Sequence, residues 1–312
     1  MNASATRTTP RTAEDLLREL EPVVRLGLER HLSVATEWFP HEFVPYEAGR
    51  NYVEEPWEES DSRLSPIART SLELNLLTED NLPYYHLAIW DTFGGDGAWG
   101  EWVRRWTAEE GRHSIVLRDY LTVTRGLDPV ALERGRMDQV SRGYYIGDGA
   151  GFASPLDGIV YTTLQELATR VSHRNTGAIT DDPRIEKLTA RIAVDENLHY
   201  VFYRELGKAA LEVDPSEMVE AINRQVLGFA MPGIELPEFR AKAIQMAKAG
   251  IYDLRLHHDQ VVLPVLFKHW KLDRLTGLTE EAERAREGVM TFLAVLDATA
   301  AKYEEKRAAQ AR

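Results

Sequence analysis

The chain of 312 residues contains no cysteine. Disulfide bonds are therefore excluded, and so is an iron–sulfur cluster held by this chain, because such clusters need cysteine thiolates. Basic residues are also scarce, since 37 lysines and arginines face 50 acids and leave a formal net charge of −13. That charge disfavours nucleic acid and anionic membrane surfaces as partners.

Long hydrophobic runs are missing as well. No apolar run approaches the roughly 18 residues of a membrane-spanning helix, so we predict no transmembrane segment and a cytoplasmic location. Strand-period segments do not occur, and the glycine-rich segment 147–151 is interpreted as a plain connector. We therefore predict an all-α chain, with a disordered N-terminal tail at 1–11 and one helical domain at 12–312.

Two segments share the pattern acid-Glu-x-x-His. They are Glu109–His113 and Asp195–His199. Alone the pattern is a weak motif, but both copies lie in long helical patterns, with their Glu and His on the apolar face. Burying a carboxylate without a partner costs about several kcal/mol, and a metal ion is the simplest compensation for both pairs together.

Two further acids complete the pattern. Glu79 lies 31 residues before Glu110, and Glu166 lies 30 residues before Glu196. About 12 residues, roughly 18 Å of helix, lead from each of these acids to a predicted break in the chain. About 12 more lead from that break to Glu110 or to Glu196, so the two carboxylates of each pair lie at the same height. One Glu on each of two helices and Glu-x-x-His on the other two is the di-iron arrangement of ferritin-like bundles. The predicted ligands are Glu79, Glu110, His113, Glu166, Glu196 and His199.

Each Glu-x-x-His motif is preceded by a second acid, placed about 100° around the helix from the ligand Glu. These acids are Glu109 and Asp195. Histidines that bind metals usually donate their other N–H to a carboxylate or carbonyl. We therefore predict that Asp195 accepts from His113 and that Glu109 accepts from His199.

The ligand helices resemble the soluble acyl-carrier-protein (acyl-ACP) desaturases of plant plastids and actinobacteria, and the resemblance covers roughly residues 15 to 275. It implies a ferritin-like di-iron four-helix bundle, enlarged by additional N- and C-terminal helices, and a homodimer. The segments that carry it are Trp38–Pro45, Leu77–Pro83, Trp106–His113, Tyr161–Thr169, Asp195–His199 and Met231–Gly233.

The resemblance also implies a reaction, the O2-dependent insertion of a cis double bond into a fatty acyl chain bound to acyl carrier protein. Its cofactors would be two Fe2+ ions, with O2 as co-substrate and a ferredoxin as electron donor. The family's iron ligands fall on the same six residues. Thr169 falls near the oxygen-binding face, while Trp38 and Asp195 fall on a route by which electrons enter.

The last motif departs from the family pattern, which usually has a basic pair before the histidine and an acid after it. Here these positions hold Asn197, Leu198 and Tyr200. Three alternatives therefore stay open: a di-iron hydroxylase or N-oxygenase acting on another carrier-bound substrate, an iron-storage protein, and a non-catalytic scaffold that binds acyl carrier or lipid.

Overall fold

The computed structural model describes residues 11–143, 152–231, 234 and 237–310. Tail residues 1–10 and the predicted connector 147–151 lie outside these ranges. The described chain is helical, and no strand occurs within these ranges. The all-α prediction is confirmed.

An irregular segment that contains three short 3-10 turns separates the first helix from the second. The short helix Leu254–Leu256 continues as π-helical turns at His257–Val262 and Pro264–His269. In chain order the helices are α1 (Ala13–Val34), α2 (Pro66–Glu79), α3 (Leu82–Phe93), α4 (Gly97–Val123), α5 (Pro129–Arg142), α6 (Pro155–Ala178), α7 (Pro183–Val213), α8 (Pro215–Leu227), α9 (Pro237–Lys248), α10 (Leu254–Leu256) and α11 (Glu280–Gln310).

Local sequence explains where the ligand helices begin. Ser154 and Asp182 cap α6 and α7 with side chains that accept backbone N–H groups, and a proline follows each cap. Such caps satisfy N–H groups that lack an intrahelical partner, and proline is tolerated there because it has no N–H to lose. These starts set the register that places Glu166 and Glu196 in mid-helix.

The sequence pattern predicts one helix from Pro66 to Trp90 that kinks at Pro83, four residues after Glu79, and the structure differs. The chain forms two helices, and Glu79 is the last residue of α2. Asp80 and Asn81 make the turn, and Pro83 lies in the first turn of α3. Pro83 cannot donate to the Glu79 carbonyl, and the chain turns at this point instead of continuing as one bent helix.

Four segments form the bundle: α2 with α3, α4, α6 and α7. The most extensive packing joins α6 to α7, while α1 lies against α4 and α7, and α11 lies against α8. Gly177 permits the close approach of α6 to α7, because a Cβ atom there would collide with Thr189. No helix in the described ranges is long and apolar enough to cross a membrane.

Candidate metal centre

The six predicted ligands meet in the middle of the bundle as two overlapping groups. One group is Glu79, Glu110, His113 and Glu196, and the other is Glu110, Glu166, Glu196 and His199. Within each group the ligand atoms lie within 4.8 Å of one another, and every side chain is buried. Glu110 and Glu196 belong to both groups, so these two carboxylates would be available to either of two bound ions.

Each histidine presents Nδ1 to the carboxylates of its own group. His113 Nδ1 lies 3.6 Å from Glu79, 3.5 Å from Glu110 and 3.4 Å from Glu196. His199 Nδ1 lies 2.8 Å from Glu110 and 3.5 Å from Glu166. The two Nδ1 atoms are therefore the nitrogen ligands that the site offers.

Several of these buried ligand atoms have no hydrogen-bond partner within the described part of the chain. The close approach of His199 Nδ1 to Glu110 Oε1 is not aligned as a hydrogen bond. Buried polar atoms rarely stay unpaired in a folded protein, so a bound cation fits this site. The unpaired atoms are Glu110 Oε1, Glu166 Oε2, Glu196 Oε1 and the Nδ1 atoms of His113 and His199.

Electrostatics also favour a cation. Burial and the neighbouring charges of Glu110 and Glu196 raise the pKa of Glu166 well above its ordinary value. Burial opposes protonation of the two histidines, but the surrounding carboxylates raise the pKa of His113 and of His199 well above the usual value. Two divalent ions would balance the four carboxylates and displace these protons. Oxygen-rich ligands with imidazole suit iron or manganese.

The outer ends of the two histidines face the predicted acids. His199 Nε2 lies 3.0 Å from Glu109 Oε2, and His113 Nε2 lies 3.5 Å from Asp195 Oδ2. Both acids are buried, 3% exposed. Burial works against ionisation, yet the contacts with His113 and Trp38 lower the pKa of Asp195 to about 2. The predicted hydrogen bond between His199 and Glu109 is therefore present, whereas His113 Nε2 faces Asp195 without forming a hydrogen bond.

The remaining predicted residues lie next to the ligands. Trp38 is buried, donates its indole N–H to Asp195 Oδ2 at 2.7 Å, and stacks on His113 at 6.3 Å between ring centroids. Thr169 Oγ1 lies 2.8 Å from Glu196 Oε2 and 3.1 Å from the carbonyl of Gln165. Its single proton can satisfy only one of these acceptors. The catalytic roles of Thr169, Trp38 and Asp195 stay predictions.

Three buried contacts to the candidate ligands and to Glu109 were not predicted from the sequence. His31 Nε2 lies 2.8 Å from Glu109 Oε2, His173 Nε2 lies 2.8 Å from Glu79 Oε1, and Trp106 donates to Glu166 at 2.9 Å. A signal for His31 was available, because it continues the apolar stripe of α1 one turn beyond Leu28. Trp106 continues a helical stripe of tryptophans with Trp99 and Trp102, a pattern that by itself predicts only core packing.

The outer shell yields a testable prediction. We expect Asp195→Asn or Glu109→Gln to weaken iron binding by about 10–100-fold, the usual cost of losing such a partner. Competition with a chromogenic chelator would measure the affinity. The matched control is Glu212→Gln, which changes an exposed acid on the same helix as Asp195 and should leave binding unchanged. Equal affinities for all variants would contradict the role of the two acids.

A cavity of about 810 Å³ reaches the metal groups. Its volume is within the range of roughly 300–1,000 Å³ that is usual for ligand pockets. Glu79, Thr169 and His173 form part of its wall, and most of the remaining wall is apolar. Asn197, Leu198 and Tyr200 do not line it and belong to neither ligand group, so the departures from the family motif leave both features intact.

Comparison with known proteins identifies the chain's relatives. The family model described as fatty acid desaturase matches residues 12–312. The chain belongs to this family. Like other fatty acid desaturases it is therefore an oxidoreductase, and the resemblance seen in the ligand helices is confirmed.

Individual relatives agree with this assignment. DesA1 of Mycobacterium tuberculosis, provisionally named an acyl-[acyl-carrier-protein] desaturase, is 45% identical over 302 residues, which cover 95% of this chain and 89% of DesA1. The chloroplastic stearoyl-[acyl-carrier-protein] 9-desaturase 6 of Arabidopsis thaliana is 32% identical, covering 69% of this chain and 58% of the relative. The crystal structure of M. tuberculosis DesA2 superposes with a TM-score of 0.68 at 28% identity, covering 86% of this chain and 98% of DesA2.

Proposed function

We propose that this desaturase inserts a cis double bond into a fatty acyl chain that is bound to acyl carrier protein, using two iron ions, O2 and electrons from a ferredoxin. The observation that carries the proposal is the largely apolar cavity whose wall includes the metal ligand Glu79 and, beside it, Thr169. An acyl chain in that cavity would lie with a CH2 group beside the metal centre.

The metal ions would be held by the two overlapping ligand groups, with Glu110 and Glu196 shared between them. When bound, two ferrous ions supply the O2 chemistry that removes hydrogen from an unactivated CH2 group. The protein holds the acyl chain in one position and keeps water away from the reacting carbons. Thr169 is placed to hold a proton at Oγ1, 2.8 Å from Glu196.

Electrons must come from another protein, since a chain without cysteine holds no iron–sulfur cluster of its own. Trp38, Asp195 and His113 form a continuous contact from the irregular segment after α1 to the metal groups. We infer that this contact is where the electrons pass. The guanidinium of Arg112 stacks on the Trp38 ring, 4.9 Å from its centroid, and forms an ion pair with Asp195 at 3.2 Å. These two contacts hold Trp38 and Asp195 in place.

The cavity rim suits an acidic carrier. Arg240 and Lys248 line the cavity, are exposed, and form no ion pair within the described ranges. Such local positive charge would attract an acidic carrier protein to a chain whose net charge is −13. The homodimer and the cytoplasmic location stay predictions.

Product mass tests the proposed reaction. The iron-loaded enzyme, supplied with reduced ferredoxin and a panel of saturated acyl carriers, is expected to give acyl products two mass units lighter. A gain of sixteen mass units would indicate the hydroxylase instead. Iron bound without any acyl product would favour the scaffold, and large iron-filled particles would favour storage.

A further inference from the structure

A polar pair interrupts the apolar wall of the cavity. Tyr252, which follows α9, and His257, the first residue of the π-helical turns, both line the cavity and are only half-buried. The hydroxyl of Tyr252 lies 2.8 Å from Nδ1 of His257. No further hydrogen-bond partner of either group occurs within the described part of the chain, and both residues line the cavity, so their remaining donor and acceptor are available to a ligand there.

Aromatic packing holds the pair at a fixed level of the cavity. The Phe229 ring stacks on His257 at 4.9 Å and lies 5.6 Å from Tyr161 of α6. Tyr161 precedes Thr169 by about two helical turns. The aromatic contacts therefore connect the pair to α6 at a position about two turns before Thr169.

Both members of the pair are uncharged at neutral pH. Burial, with the nearby His258, lowers the pKa of His257 to about 4, while burial and Asp253 raise the pKa of Tyr252 above its ordinary value. A neutral imidazole has one N–H and one lone pair. If the Tyr252 hydroxyl donates to Nδ1, then Nε2–H is the free donor and the hydroxyl oxygen is the free acceptor. If Nδ1–H donates to the hydroxyl instead, the hydroxyl is the free donor and Nε2 is the free acceptor. Either way, the cavity is offered one donor and one acceptor.

We propose that Tyr252 and His257 bind a neutral oxygen group, a hydroxyl in the first place, carried within the acyl chain of the substrate. A hydroxyl both donates and accepts, and so matches the pair in either tautomer. A carboxylate matches the pair less well than a hydroxyl does, because neither neutral group can balance its charge. This inference rests on the proposed function for the presence of an acyl chain in the cavity, and it specifies the class of chain.

Binding, rather than turnover, tests this inference. The iron-loaded enzyme without reductant would be titrated calorimetrically with carrier thioesters of one chain length, either unsubstituted or with a hydroxyl at successive mid-chain carbons. One hydroxyl position is expected to bind about 2–10-fold more tightly than its neighbours, the range of one net hydrogen bond. The double variant Tyr252→Phe/His257→Phe should lose this preference and bind the unsubstituted thioester as before.

The matched control is Tyr303→Phe, which removes another hydroxyl on the cavity wall, from the 63% exposed Tyr303. It should keep the positional preference. Equal binding of all hydroxyl positions by the unaltered enzyme would overturn the inference, and this comparison does not depend on any variant folding. A preference that survives in the double variant would also overturn it. If the preference is present but no acyl chain is desaturated, the proposed reaction fails and the binding site stands.

Discussion

Glu166→Ala is expected to abolish turnover while leaving the helical fold intact. Glu166 belongs to only one of the two ligand groups, so the variant should hold about one iron per chain where the unaltered enzyme holds two. The loss of activity should exceed the roughly 10–100-fold cost of removing an outer-shell partner, because a direct ligand of one ion is missing.

Elemental analysis, circular dichroism and product mass spectrometry would measure iron, fold and turnover on the same samples. Glu212→Ala, at an exposed position of α7, is the control and should retain two irons and full activity. The absence of iron from the unaltered protein, or a single structural zinc, would refute the di-iron assignment.

An isosteric variant separates loss of a ligand from loss of the fold. Glu166→Gln can still accept from Trp106, which now donates to Glu166 at 2.9 Å, and a glutamine cannot ionise among the other buried carboxylates. In the metal-free state at neutral pH, the glutamine variant should therefore unfold at no lower a temperature than the unaltered protein. Adding iron should raise the unfolding temperature of the unaltered protein more than that of the glutamine variant.

Ala243→Trp is expected to reduce turnover by more than tenfold without changing the iron content. Ala243 is a half-buried residue of α9 on the cavity wall, so an indole there would occupy the space that the acyl chain needs. Added volume in a packed region destabilises the fold by about 1–3 kcal/mol. This cost is smaller if the tryptophan side chain extends into the cavity.

The control is Ala241→Trp, because Ala241 is exposed on the same helix and does not line the cavity. Both variants should bind two irons, and only Ala243→Trp should lose turnover in assays with saturated acyl carriers. Full activity of Ala243→Trp would mean that the acyl chain lies elsewhere, and the proposal that this cavity holds it would then be wrong.

Helical geometry made it possible to predict the six candidate metal ligands from the sequence. Residues three or four apart share a helix face, so Glu110 and His113 had to lie together, as did Glu196 and His199. Equal lengths of helix on each side of the turns then brought Glu79 and Glu166 to the same level. The same geometry predicted the contact of Glu109 with His199, which the structure places at 3.0 Å.

Contacts between residues that lie far apart in the sequence depend on the tertiary structure. His31 contacts Glu109, 78 residues away in sequence, and His173 contacts Glu79 across 94 residues. No local pattern specifies such pairs, because they arise only when separate helices pack. The break at Asp80 and Asn81 also differs from the predicted kink, since the same proline is compatible with either outcome.

The helical class, the six candidate ligands and the two acids beside them could all be predicted from the sequence, because each follows from the period of a single helix and the cost of burying charge. Only the packing of the helices decided that Glu110 and Glu196 are shared between the two groups, and that a cavity reaches them. Packing likewise brought Phe229 of the segment after α8 onto His257 at 4.9 Å. The cavity and its polar pair are properties of the space between helices, which no single helix encodes.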